Sequence, residues 1–162
     1  MINLRCTKRL LSRLRVKAVP SPAVSTNALG DWYANVLYAN HQQLVICTNE
    51  RSLLSVVLPF KPHETLVARI RDAAIGLFAR IGIPWAAIEK EAFEMKQFTY
   101  AKTNSMSVLG SMNDLTYHCK WHITVDGMRD LHEVEDLLSE IPCGAVGYHF
   151  PREVASEILK ST

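Results

Sequence analysis

Apolar residues recur along this chain with two periods, and the switches between them mark out its elements. "INLRCT" at the start has the alternation of a strand, and "KRLLSRL" then places Leu10, Leu11 and Leu14 on one face of a helix running from about Lys8 to Leu14, with Thr7 as its cap. The pattern lapses between 18 and 31, where two prolines, a glycine and several hydroxyl residues predict a long loop. Aromatic and β-branched residues return at 32–38 and again at 44–48. The intervening "ANHQQ" supplies a turn, so the two runs predict a hairpin, with a third strand near 53–58 in "LLSVVLP".

From Glu64 to Ile81 the period changes to three or four: Leu66, Ile70, Ala73, Leu77 and Ile81 form the stripe of a core-facing helix, which Gly82 ends. Pro84 opens another helix, "WAAIEKEAFEM", whose Glu89, Lys90, Glu91 and Glu94 read as its solvated side. The stretch "YAKTNSMSVLGSMNDL" at 100–115 is unusually rich in small and polar residues. Its first half reads as an extended or looped segment. Its second half begins a helix capped by Ser107, since Val108, Met112, Leu115, Cys119 and Ile123 repeat at helical spacing. A helix over about 130–140, a strand at 145–150 ("AVGYHF") and a last helix, "PREVASEILK", complete an α+β fold. The expectation is one domain over 1–162, with a small antiparallel sheet (strands near 2–6, 32–38, 44–48, 53–58 and 145–150) packed by about five helices.

Composition changes this picture little. The 162 residues, 48% hydrophobic and 21% charged, suffice for a core of ordinary size and argue against extensive disorder. Charge placement is more informative than the net +2, because Arg5, Lys8, Arg9, Arg13, Arg15 and Lys17 all precede the first acidic residue, Asp31. Such a segment either is a solvated helix face or contacts phosphates, releasing the counterions condensed on a nucleic-acid backbone. Its basic, acid-free character is superficially that of a transit peptide, but "INLRCT" reads as part of the fold. No apolar run reaches the roughly 18 residues of a membrane span, and the expected location is the cytoplasm. Cys6, Cys47, Cys119 and Cys143 never form CxxC and read as reduced, buried thiols.

Few patterns carry chemistry. His118 and His122 stand four apart as zinc-ligating helical histidines do, yet Cys119 occupies the place where a zinc peptidase needs Glu, so ordinary helix histidines are the better reading. The spacings GxSxG, GxxxxGK[ST] and GxGxxG are absent, and a triad of Ser111, His118 and Asp114 has no spacing rule behind it. More suggestive are "LGDWYAN", with Asp31, Trp32 and Asn35 at a strand start, and "CTNE", with Thr48, Asn49 and Glu50 at the end of its partner. Carboxylates at that open end could act as acid and base or hold a metal. Turn chemistry is the commoner use of such residues. No cofactor is expected.

Taken together, Leu4–Thr7, "LGDWYAN" at 29–35, "TNE" at 48–50, "AKTN" at 101–104, "SVLGSMND" at 107–114 and "IPxGAVGY" at 141–148 resemble an uncharacterised bacterial family of domain-of-unknown-function type. The resemblance spans residue 2 to about 150 and brings no activity with it. It implies a signature that includes Arg5, Thr7, Gly30, Asp31, Trp32, Asn35, Thr48, Asn49, Lys102, Thr103, Asn104, Ser107, Gly110, Ser111, Asn113, Asp114 and Gly144. Met106 stands where relatives carry arginine, which implies a weakened or relocated contact to an anionic ligand.

Three functions are compatible with these residues. The first is a binding module that meets nucleic acid or a partner protein through the basic N-terminal helix and the 101–114 motif. The second is a structural or homodimeric interaction protein anchored by Trp32, Trp85 or Trp121. The third is a metal-dependent hydrolase or nuclease using Asp31, Glu50, Asp114 and Lys102. The expected ligand-binding set is Arg5, Thr7, Asp31, Trp32, Asn35, Asn49, Lys102, Thr103, Asn104, Ser107, Ser111, Asn113 and Asp114.

Overall fold

The computed structural model describes residues 1–162. Strands β1 (Ile2–Cys6), β2 (Trp32–Ala39), β3 (Gln42–Asn49), β4 (Ser55–Pro59) and β5 (Phe98–Lys102) form one sheet in the order β4-β3-β2-β1-β5. The helices are α1 (Lys8–Leu14), α2 (Leu66–Arg80), α3 (Trp85–Glu94), α4 (Met106–Thr124), α5 (Leu131–Leu138) and α6 (Pro151–Lys160). No helix is long and apolar enough to cross a membrane.

The β2–β3–β4 meander is antiparallel, as its hairpin pattern predicts. Its first turn is made by Asn40 and His41, both with positive φ, 49° and 62°. A two-residue turn of this kind matches the twist of the flanking strands. The sheet as a whole is mixed rather than antiparallel, because β1 runs parallel to both β2 and β5. Each of those pairings is reached through a long helical crossover, which returns the chain to the same end of the sheet before it enters the next strand.

Alternation along the strands divides the interior into two layers. Leu4, Cys6, Trp32, Ala34 and Val36 face a core completed by Leu10 and Leu14 of α1, by Leu66, Ile70 and Phe78 of α2, and by Leu159 of α6. On the other side Tyr33, Leu37, Leu44, Ile46 and Val57 pack against Val108, Met112 and Cys119 of α4 and Val134 and Leu138 of α5. Burial of a large aliphatic side chain contributes about 1.5–3 kcal/mol, so both layers are needed to hold the sheet. All four cysteines are buried and free, as expected.

Several expectations need correction. Residues 145–150 are not a strand: Gly144–Val146 form a 3-10 turn, and Gly147 and Tyr148 are both left-handed, leaving one isolated bridge between Cys143 and His149. Consecutive left-handed residues cannot keep the pleat of a strand. The fifth strand is instead Phe98–Lys102, so Tyr100, Ala101 and Lys102 of the segment read as extended or looped belong to a sheet edge. Ser105, not Ser107, caps α4, its Oγ accepting the Val108 N–H at 3.2 Å. Glu91, read as solvated, is buried, where it accepts from Asn27 Nδ2 at 2.6 Å and from the N–H groups of Ala28 and Leu29.

That last contact anchors the long loop between α1 and β2. The Val19 N–H donates to the Tyr100 carbonyl of β5, and Asn3 Nδ2 donates to the Ala23 carbonyl, both at 2.8 Å. The loop thereby covers part of an edge that would otherwise present unpaired backbone groups. β1 leads to α1 on one face of the sheet, whereas β5 leads to α4 on the other. The adjacent carboxyl ends of β1 and β5 are thus a topological switch point, the position where open sheets containing parallel strands commonly bind ligands.

Candidate functional site

The sequence-distant polar residues divide into three groups, of which Asp31, Asn49 and Glu50 lie at the amino end of β2 rather than at the switch point. In the first, Arg5 Nε donates to Asp31 Oδ2 at 2.6 Å and Arg5 Nη1 donates to the Lys102 carbonyl at 2.8 Å. The Arg5 and Asp31 side chains are only 13% and 7% exposed, so water screens the pair poorly. The Asp31 N–H donates to Glu50 Oε1 at 2.8 Å. Asn49 donates to the carbonyls of Leu29 and Asp31, while its Oδ1 accepts from the N–H groups of Arg51 and Ser52 and from the Ser52 hydroxyl. Thr48 is buried and shares a hydrogen bond with Ser55. Asp31, Asn49 and Glu50 therefore tie the strand ends together.

A second group lies at the carboxyl end of β1. Thr7 Oγ1 donates to Asn35 Oδ1 at 2.6 Å and accepts the Leu10 N–H at 3.3 Å, capping α1 as predicted. The Tyr33 hydroxyl donates to Asn104 Oδ1, joining β2 to the segment before α4. Burial is the main influence raising the Tyr33 phenol above its ordinary range, so it remains a donor. Trp32 is fully buried, with its ring centroid 6.4 Å from that of Phe78, and belongs to the core rather than to a ligand site. Lys102 is exposed, whereas Thr103 is half-buried.

Third, Ser107, Ser111 and Asp114 line a cleft of about 550 Å³ between α4 and the segment 141–148. His118 and Gly110 lie in the same wall, and Gly144 and Tyr148 form part of the opposite one. Asn113 is exposed on α4 but outside the cleft. The "SVLGSMND" and "IPxGAVGY" stretches thus face each other, although more than 25 positions separate them in the chain. Ser111, Asp114 and His118 share the cleft without a hydrogen bond among them, so the chain of contacts that activates a serine nucleophile is not assembled.

The structure separates the carboxylates expected to work together. Asp31 is paired with Arg5, Glu50 serves a backbone N–H, and Asp114 lies in the cleft of α4. No three His, Cys, Asp or Glu side chains are gathered as a metal ion requires. Cys119 points into the core and His122 hydrogen-bonds Asp126 at 2.8 Å, so the helical histidines do not converge on a common ligand position. Another polar cluster escaped the sequence reading. Arg80 bonds Glu135 at 2.8 Å and Asp136 at 3.1 Å, while the buried Glu135 carboxylate also accepts the Val57 N–H. Nothing in "HEVEDLLSE" marks Glu135 as the buried acid, since its partners come from a helix and a strand more than 50 residues away.

The chain belongs to the domain-of-unknown-function family DUF6933, whose family model matches residues 3–154. No curated protein and no solved structure matches it.

Proposed function

We propose that this member of DUF6933 is a binding module for nucleic acid, contacting the phosphate backbone through α1 and the adjoining end of the sheet. The observation that carries the reading is electrostatic: Lys8, Arg9, Arg13, Arg15 and Lys17 are all exposed, and none pairs with an acidic side chain. Unpaired cations on one short helix and its exit gain most from phosphate, because no internal ion pair must be broken first. Arg9 and Arg13 are held over the Tyr38 ring, their guanidinium carbons 5.6 and 5.5 Å from its centroid. That contact restrains two flexible side chains and lowers the entropy lost when they bind. Lys102 lies in register with Cys6 on β1, and strand alternation directs it to the α1 side.

Contacts of this type position a protein on a strand without reading bases, so the reading predicts affinity with little sequence preference. The test is fluorescence anisotropy with a labelled single-stranded oligonucleotide and its duplex over a salt series. Wild-type protein should bind at low salt, with affinity falling as salt rises. The triple variant K8E/R9E/R13E should bind weakly and show a salt slope smaller by about 2–3, one per lost phosphate contact. Absence of binding to both nucleic acids at low salt would overturn the reading.

A second reading has one specific observation in its favour. Trp85 and Phe93 on α3 are 62% and 68% exposed and flank a shallow groove of about 290 Å³. Exposed aromatic residues on one helix suit a contact between two copies of the chain. Light scattering after size exclusion separates the cases: a dimer abolished by W85E/F93E supports it, and a wild-type monomer at high concentration rejects it.

A further inference from the structure

The cleft between α4 and residues 141–148 has a chemistry opposite to that of α1. Ser107, Ser111, Asp114 and His118 are spaced at i, i+4, i+7 and i+11, which places them on one stripe of α4 facing the cleft. All four side chains lack a hydrogen bond or ion pair within the protein, although hydroxyl and carboxylate groups elsewhere in the fold are extensively used. No lysine or arginine lines the cleft, so Asp114 supplies its only fixed charge. His118 is the sole lining group able to oppose that charge, and it does so only when protonated.

The facing wall adds an aromatic surface. Gly147 and Tyr148 adopt left-handed backbone conformations, with φ 66° and 61°. This is costly for a bulky residue and is maintained here within the turn that begins at Cys143. It lays the Tyr148 ring against Gly144: a Cβ at that glycine would meet the ring and its hydroxyl at 3.5 Å. Tyr148 nevertheless remains 76% exposed, and Tyr117 and Met106, also lining the cleft, are 66% and 85% exposed. A site with one unpaired carboxylate, two exposed phenol rings and a thioether favours a cation with an apolar body. The carboxylate meets the charge, while the rings offer their negative faces and apolar area.

We infer that this cleft is a binding site for a small organic ammonium compound, with Asp114 as counter-ion, Tyr148 and Tyr117 as the aromatic contacts and Ser107 and Ser111 as hydrogen-bonding groups. The inference is independent of the nucleic-acid reading, since α1 and α4 occupy opposite faces of the sheet. A polyanion attracted to α1 would be repelled by Asp114, so the two surfaces select different partners.

Titration of ¹⁵N-labelled protein with benzylammonium, with benzyl alcohol and benzoate as isosteric controls, tests it. Benzylammonium should shift the amides of Gly110, Ser111, Gly144 and Gly147 saturably. D114N, a substitution on the exposed side of α4, should keep the native spectrum and weaken binding by about fivefold to tenfold, the size expected for one partly solvated charge contact. Y148A should weaken it further while sparing the amides of α1. The inference is overturned by no saturable shift at these amides, by equal binding of benzyl alcohol, or by unchanged affinity in D114N. Saturable binding of benzoate at the same amides would reverse the assigned charge preference and also reject it.

Discussion

Arg5 of the first strand and Asp31, directly before the strand next to it, are joined at 2.6 Å with both side chains largely sheltered from water. The same guanidinium reaches the Lys102 carbonyl, so one side chain fastens β1 to the ends of β2 and β5. Removing one member of a sheltered pair costs more than the pair contributes, because the remaining charge stays desolvated. R5M is expected to lose about 3 kcal/mol, read as a lower urea midpoint at unchanged m-value. The double variant R5M/D31N should recover part of that loss. If the two substitutions were strictly additive, the pair would have no energetic coupling and this account would fail.

Gly30 sits directly before Asp31 with φ 75°, and a Cβ there would lie 2.3 Å from Glu50 Oε1. G30A should therefore both strain the backbone and displace the carboxylate that accepts the Asp31 N–H. A loss of about 2–4 kcal/mol is expected, the sum of a left-handed penalty and a broken buried contact. G82A is the comparison: Gly82 has φ 84° but nothing within 4 Å of the added carbon, so it should lose only about 1 kcal/mol. Equal losses in thermal or urea unfolding would show that the contact with Glu50 contributes nothing.

Glu91 gives a pH-dependent prediction. Burial raises its carboxyl above the ordinary range, against the opposing influence of donors from Asn27, Leu29 and Ala28. The folded state thus holds the proton more tightly than the unfolded chain. Stability from this group is complete below the ordinary carboxylate pKa and is lost as pH rises through the elevated value. E91Q does not titrate and should be destabilised by about 1–3 kcal/mol through mispaired donors. The stability gap between wild type and E91Q should narrow from about pH 4 toward neutrality. Urea midpoints across that range decide it, and a gap that widened would refute the assignment. Glu135, whose burial acts in the same direction, is present in both proteins and cancels.

The cysteines should be silent in the native state. Burial pushes the Cys6 and Cys119 thiols up to about 12, and Cys47 also lies well above its ordinary value. Because the thiolate is the reacting species, an aromatic disulfide reagent near pH 8 should label these three only through unfolding. Cys143, beside the cleft and 8% exposed, should react first. Mass spectrometry of the labelled peptides establishes the order, and early labelling of Cys6 or Cys119 would contradict the packing.

Much of this architecture is determined by local pattern. The stripe from Leu66 to Leu77, the alternation of the β2–β3 hairpin, the Thr7 cap and the loop between α1 and β2 follow from period and turn chemistry, which neighbouring residues specify by themselves. The sequence likewise determines that α1 is basic and that its first acid waits until Asp31. What only the tertiary structure decided is long-range pairing. The parallel placement of β1 between β2 and β5 depends on crossovers whose direction no local pattern encodes. "AVGYHF" has the residue types of a strand but becomes a turn because Gly147 and Tyr148 go left-handed. Glu91 and Glu135 look like surface acids until backbone donors from distant segments satisfy them. Asp31 and Asp114, equally plausible as site residues in the sequence, part company for the same reason. Arg5 arrives from another strand to neutralise the first, and no basic group arrives at the cleft to neutralise the second.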